Sequence, residues 1–178
     1  MRDQDTEHIQ SFLDNNPKGF EWIYSKYHKP TFSLLLNMLK DKEEAKDALQ
    51  EVFIIVYNKL HTFKQQSRFS TWLYSIAYRL AIKKLKNPMF SAELLSFDKA
   101  DEADSEEIYS TEALMKGLQL LNTQQRMLLE LFYYQDQSIR DISAITGQRE
   151  GNIKVLLHRS RMKLKEYLLN NKCKFADR

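Results

Sequence analysis

A single cysteine, Cys173, stands in 178 residues. One thiol closes no intramolecular disulfide, and no Cys/His group has the spacing of a zinc site, so a reducing compartment is favoured. Glycine and proline are nearly as scarce, at four and three. With so little to punctuate the chain, apolar residues recur at steps of three and four almost throughout, the pattern of helices rather than strands. Long apolar runs are missing as well. Nothing approaches the roughly 18 residues needed to span a bilayer, and the opening "MRDQDTEHIQ" is polar where a secretory signal would be apolar. These absences predict a cytoplasmic protein without membrane insertion. Catalytic groupings are also lacking: His8, His28, His61 and His158 are scattered singly, with no nucleophile motif, metal-ligand cluster or phosphate-cradling loop. No enzyme, metal, cofactor or small-molecule substrate is expected. Nor is there a large charge excess, since 27 Lys and Arg face 24 Asp and Glu for a net +3. That balance is too mild to reveal a nucleic-acid partner, and the placement of the charges has to decide.

What is present is an all-α chain in two small helical domains. Between Asn87 and Glu112 the helical pattern lapses into "NPMFSAELLSFDKADEADSEEIYSTE", in which Lys99 is the only base. This reads as an acidic flexible linker, mobile around Asp98 to Glu107, with Pro88 closing the helix before it. The resulting division is 1–87, linker 88–112, and 113–178. In the first domain Asn16-Pro17 opens a helix, and Pro30 is expected to kink or break the apolar segment after it. Asp41 caps the next helix, with Glu44 three residues on. Behind the cap, Ala45, Ala48, Leu49, Val52, Phe53, Val56, Tyr57 and Leu60 form a core stripe.

Two faces lie off the core. Asp47, Gln50, Glu51 and Ile54 share the first, where an apolar residue rimmed by charge has the look of a partner contact, though an ordinary solvated surface has the same spacing. On the following helix Leu73, Ile76, Ala77 and Leu80 face inward, leaving Trp72, Ser75, Arg79, Lys83 and Lys86 as a basic stripe headed by an aromatic. Lys64 and Arg68 in the preceding loop extend it. Cations track a phosphate backbone and an aromatic stacks on an unpaired base, a pairing suited to single-stranded nucleic acid. A core role for Trp72 fits the same spacing.

The second domain carries a helix-turn-helix pattern. Ser138 and Asp141 make a capping box, Ile139, Ile142 and Ile145 face inward, and Gly147 permits a left-handed turn. Ile153 and Leu156 follow at the separations that pack a second helix on the first. Ile153, Leu156, Leu157, Ser160, Leu164 and Leu168 take the core side. Outside remain Arg149, Asn152, Lys154, His158, Arg159, Arg161 and Lys165, and no acid interrupts them from Asn152 to Lys165. A merely solvated face usually mixes both signs, so this one points to DNA.

The ordered set "DALQEVF", "SRFSTWLYSIAYRLAI" and "LNTQQRMLLELFYYQDQSIRDISAITGQREGNIKVLLHRSR" resembles an extracytoplasmic-function sigma factor of the sigma-70 family. The resemblance implies that Asp47, Gln50, Glu51 and Phe53 dock on the clamp helices of the RNA polymerase large subunit. It implies that the Phe63–Ser70 loop, with Lys64, Arg68 and Ser70, and the helix bearing Trp72 receive and melt the promoter minus 10 element. It also implies that Arg149, Glu150, Asn152 and Lys154 approach base edges of the minus 35 element, with Arg159 or Arg161 nearer phosphate. Core polymerase and promoter DNA are thus the implied partners, joined in many such factors by an anti-sigma factor. The match departs at Arg79, Lys83 and Lys86, where Asn, Asp and Arg are common, which favours backbone contact there. It departs again at Gln65 and Gln66, and at Asn152 and Leu156, where Thr and Arg are frequent. A helix-turn-helix regulator acting without polymerase would explain the second domain equally well, but not the two faces of the first. A scaffold with basic faces serving only solubility explains neither.

Overall fold

The computed structural model describes residues 4–86 and 111–172. The first segment folds as α1 (Gln4–Leu13), α2 (Pro17–Leu39), α3 (Lys42–Lys59), a 3-10 turn (Leu60–Thr62) and α4 (Phe69–Leu85). The second contains α5 (Thr111–Gln119), α6 (Thr123–Leu129), a π-helical turn (Glu130–Tyr134), α7 (Ile139–Thr146) and α8 (Glu150–Lys172). No strand occurs among the described residues. The helix stop at Pro88, the acidic stretch from Asp98 to Glu107, and Cys173 lie outside them.

Local chemistry sets the helix ends. Asn16 Oδ1 accepts from the Lys18 amide at 3.2 Å, and Pro17 occupies the first helical position of α2, where its missing N–H costs nothing. Lys40 closes α2 in the left-handed region with φ 62°, its N–H donating to Leu36 O. Asp41 Oδ1 accepts from the Glu44 amide at 2.8 Å, but the Glu44 carboxylate turns to Lys84 Nζ at 3.6 Å instead of completing a capping box. Pro30 does not break the chain: α2 runs through it. Tyr27, Thr31, Leu34 and Leu35, on either side of it, are all buried, and their packing offsets the hydrogen bond that proline removes.

Ile23, Leu34, Leu35, Leu39, Val52, Val56, Leu73 and Ala77 make the centre of the first domain. Tyr57, expected in this core, is more than half exposed. It closes the edge of an aromatic group with Phe12 and Phe20, each ring centroid 5.0 Å away. In the second domain Leu128, Leu131, Ile142, Ile145, Ile153 and Leu157 are buried. Ser160 joins them, its hydroxyl donating to Leu156 O at 2.7 Å. The two domains are in contact: α4 lies against α7, and α2 against α6.

Candidate nucleic-acid and partner interfaces

The turn between α7 and α8 is built as the sequence predicts. Ser138 Oγ accepts from the Asp141 amide at 3.1 Å while Asp141 Oδ2 accepts from the Ser138 amide at 3.3 Å. Gly147, at φ 73°, closes α7 with its N–H on Ser143 O. The Ser143 hydroxyl then donates to Gln148 O at 2.7 Å, fixing the chain's exit into α8. Ile153 and Leu157 are buried on the inner side of α8, and Leu156 is half-buried. Arg149, Glu150, Asn152, Lys154, His158, Arg159 and Arg161 are all exposed. Arg161 also donates to the Tyr133 hydroxyl at 3.3 Å, which anchors it at the far end of the face from Arg149. Beside it an open cleft of about 450 Å³, lined by Leu114, Leu118, Leu129, Tyr133, Leu164 and Leu168 among others, runs between α5 and α8.

On α3, Asp47, Gln50, Glu51 and Ile54 are exposed together, Ile54 to 61%. Phe53 is not on this face. It is 5% exposed, packed edge-on against Phe20 and Tyr24, and so supports the surface from beneath. Glu51 is tied across to α4 by Lys84, 2.6 Å away. Burial alone would lower the Lys84 pKa, but its bonds and attraction to Glu51 and Glu44 outweigh that and raise it. Lys84 was not singled out in the sequence, where it reads as one more basic residue beside Lys83.

Along α4, Arg79, Lys83 and Lys86 are exposed and Lys64 stands free of the core in the preceding loop. Trp72 is half-buried, its ring stacked obliquely against Phe63 at 5.4 Å and Phe69 at 5.8 Å. Trp72 thus packs on the core while part of its surface stays accessible. Ser75, expected on the outer stripe, and Ser70, which the resemblance puts in the minus 10 loop, are instead buried, at 8% and 9% exposure.

The reason is a polar seam between α4 and the second domain. Arg68 Nη2 donates to Asp141 Oδ2 at 2.6 Å and to Asp136 O at 3.1 Å. The Thr71 hydroxyl lies 3.1 Å from Asp141 Oδ1 and 3.2 Å from Gln137 Oε1, sharing its one proton between them. Gln137 Nε2 reaches back to Ser70 Oγ at 3.3 Å, and the Tyr74 hydroxyl donates to Gln135 Oε1 at 2.8 Å. Burial first, then the nearby Glu130 and Asp5 charges, hold the Tyr74 hydroxyl firmly protonated. For Asp141 burial alone would raise the pKa, but hydrogen bonds from Ser138, Arg68 and Thr71, with the Arg68 charge, bring it below the usual carboxylate value. Further along, Asn37 of α2 donates to the buried Glu130 carboxylate at 3.2 Å. The face of α4 bearing Ser70, Thr71 and Tyr74 recurs at helical spacing, but nothing in the sequence tells what would cover it.

No described helix is long and apolar enough to cross a membrane. No metal-holding group of His, Cys, Asp or Glu occurs among the described residues.

Comparison with known proteins matches residues 23–87 to the family model of Sigma-70 region 2 and residues 111–164 to that of Sigma-70, region 4. The ECF RNA polymerase sigma factor SigM of Bacillus subtilis is 30% identical over 149 residues, covering 80% of this chain and 91% of the relative. The ECF RNA polymerase sigma factor SigX of the same organism is 27% identical over 161 residues, covering 84% and 83%. Among solved structures, the sigma factor RpoE of Bartonella quintana, in complex with the anti-sigma factor NepR, superposes with a TM-score of 0.69 at 22% identity, covering 85% of this chain and 97% of that one. CnrH, in complex with the cytosolic domain of CnrY, gives 0.67 at 17%, covering 93% and 97%.

Proposed function

Because this chain belongs to the extracytoplasmic-function sigma factors of the sigma-70 family, we propose a division of its work as an RNA polymerase sigma factor among three faces. Asp47, Gln50, Glu51 and Ile54 on α3 meet the clamp helices of the polymerase large subunit, with Phe53 stiffening that face from below. Lys64, Arg68, Trp72, Arg79, Lys83 and Lys86 receive the minus 10 element, the cations following phosphate and the accessible side of Trp72 taking an unstacked base. The first turns of α8 enter the major groove of the minus 35 element, Arg149, Glu150, Asn152 and Lys154 toward base edges and His158, Arg159 and Arg161 toward phosphate.

The observation that carries this reading is the outer side of α8, where every side chain named is exposed and no acid stands between Asn152 and Lys165. The chain supplies recognition, and the chemistry of RNA synthesis belongs to the polymerase, which places the work in the cytoplasm. An anti-sigma factor is a further proposed partner, and the apolar cleft beside Tyr133 offers it surface to bind. Run-off transcription with purified core polymerase over a random promoter library tests the whole. Selection of a two-part promoter with minus 35 and minus 10 elements is expected. DNA binding without any initiation would favour a regulator that acts without polymerase.

A further inference from the structure

Asp141 presents both carboxylate oxygens to the first domain, one to the Arg68 guanidinium at 2.6 Å and the other to the Thr71 hydroxyl at 3.1 Å. A guanidinium donor and a hydroxyl donor converging on two oxygens of one anionic group form an arrangement that a backbone phosphate satisfies as well as a carboxylate does. Both donors stand at the start of α4: Thr71 is 3% exposed in its first turn, and Arg68 holds the N-cap position with its guanidinium directed away from the helix end, to Asp141 and Asp136. Arg68 and Lys64 also belong to the loop and stripe where the cations gather, so an anion at this point meets a surface already biased toward it.

We propose that Arg68 and Thr71 form a phosphate clamp for the sugar-phosphate backbone of promoter DNA, and that Asp141 fills it when the two domains are closed. The carboxylate stands in for a phosphate. Docking of the second domain and backbone contact at this point then exclude each other, and promoter engagement requires Asp141 to leave. This deepens the minus 10 assignment of α4 and rests on it. Thr71 becomes a contact residue that neither its burial nor its place on the helix announces.

The test uses the full chain and a labelled single-stranded DNA of random sequence, followed by anisotropy across a salt series. Asp141→Asn keeps an amide oxygen for the Ser138 amide but loses the charge. It is expected to tighten binding about tenfold, the worth of one charge-assisted hydrogen bond released to the DNA. The salt slope should steepen by about 0.7, one further phosphate on a single strand. Adding Arg68→Ala should remove both gains, and adding Thr71→Val should remove part of the affinity gain. Asp136→Asn makes the same change in net charge next to the clamp, and Ser138→Ala weakens the α7 cap and takes one hydrogen bond from the carboxylate while leaving its charge in place. Neither should reproduce the effect. An equal gain from Asp136→Asn, or a gain in Asp141→Asn that survives Arg68→Ala, overturns the clamp. So does unchanged affinity in an Asp141→Asn protein of native helicity. The minus 10 assignment fails separately: if Arg68→Ala abolishes the gain in the free chain yet leaves promoter opening by holoenzyme untouched, the clamp binds phosphate but not there.

Discussion

Gly151 stands in the first turn of α8 with open space where a methyl would go. Gly151→Ala should therefore raise stability by about 0.5–1 kcal/mol through the backbone freedom it removes from the unfolded chain, seen as a higher melting temperature. Gly19 is the opposite case. A methyl there would collide with the backbone of His8 and would come within 2.6 Å of the Phe12 nitrogen, because α1 crosses α2 at this residue. Gly19→Ala should cost about 1–3 kcal/mol in denaturant unfolding. Neither difference is visible in the sequence, where both are single glycines inside helical patterns. Single positions were the hardest to read for this reason. Phe53 and Tyr57 sit one helical turn apart on α3 with similar character, yet one is buried and the other is more than half exposed. Phe53 packs beneath Phe20 and Tyr24, whereas Tyr57 closes the outer edge of the aromatic group at Phe12 and Phe20, a boundary that no local pattern records.

Elements were far more legible. The box at Ser138 and Asp141, the left-handed Gly147 and the apolar spacing into α8 are all local, and each is found where the sequence puts it. At Pro30 the helix is not broken, because a proline's local cost is plain in the sequence while the buried packing that offsets it is not. On α8, Asn152→Ala and Lys154→Ala should alter which minus 35 sequences are used, each base contact being worth roughly 1–3 kcal/mol. Arg159→Ala and Arg161→Ala should weaken all promoters alike and flatten the salt dependence. Selection from a randomised minus 35 element by holoenzyme distinguishes the two pairs. On α4, Trp72→Ala removes packing against Phe63 and Phe69 and should cost about 1–3 kcal/mol. Trp72→Phe is the better probe of its free side. Permanganate footprinting should show weaker strand opening while duplex minus 35 binding is kept. On α3, Asp47→Lys leaves the Glu51–Lys84 pair intact and is expected to abolish co-purification with core polymerase without loss of helicity.

At the scale of the whole molecule, two domains were expected from the lapse in helical pattern, but their contact was not. The partners of its polar seam lie 61 to 73 residues apart in the chain, from Tyr74–Gln135 to Arg68–Asp141. A row of hydroxyls on one helix and of glutamines in the turn before another has no signature until the two meet. Because the Asp141 pKa is held below its ordinary 3.8, its contribution to closure is fully present above that value and is lost as pH falls through the lowered one. Small-angle scattering should show the chain expanding in that acid range, and Asp141→Asn should already be expanded at neutral pH. The same carboxylate also serves Ser138, within the turn that starts α7. Selection for a constitutively open factor would therefore seldom keep a change at 141, since it loosens the reading domain together with the latch, nor one at Arg68, which the proposed clamp also assigns to DNA. Gln135 and Gln137 also bond within their own domain, to Glu130 and to the Gln135 carbonyl, but neither takes part in the α7 cap. Adaptive substitutions that free the factor from its own restraint should accumulate at those two glutamines.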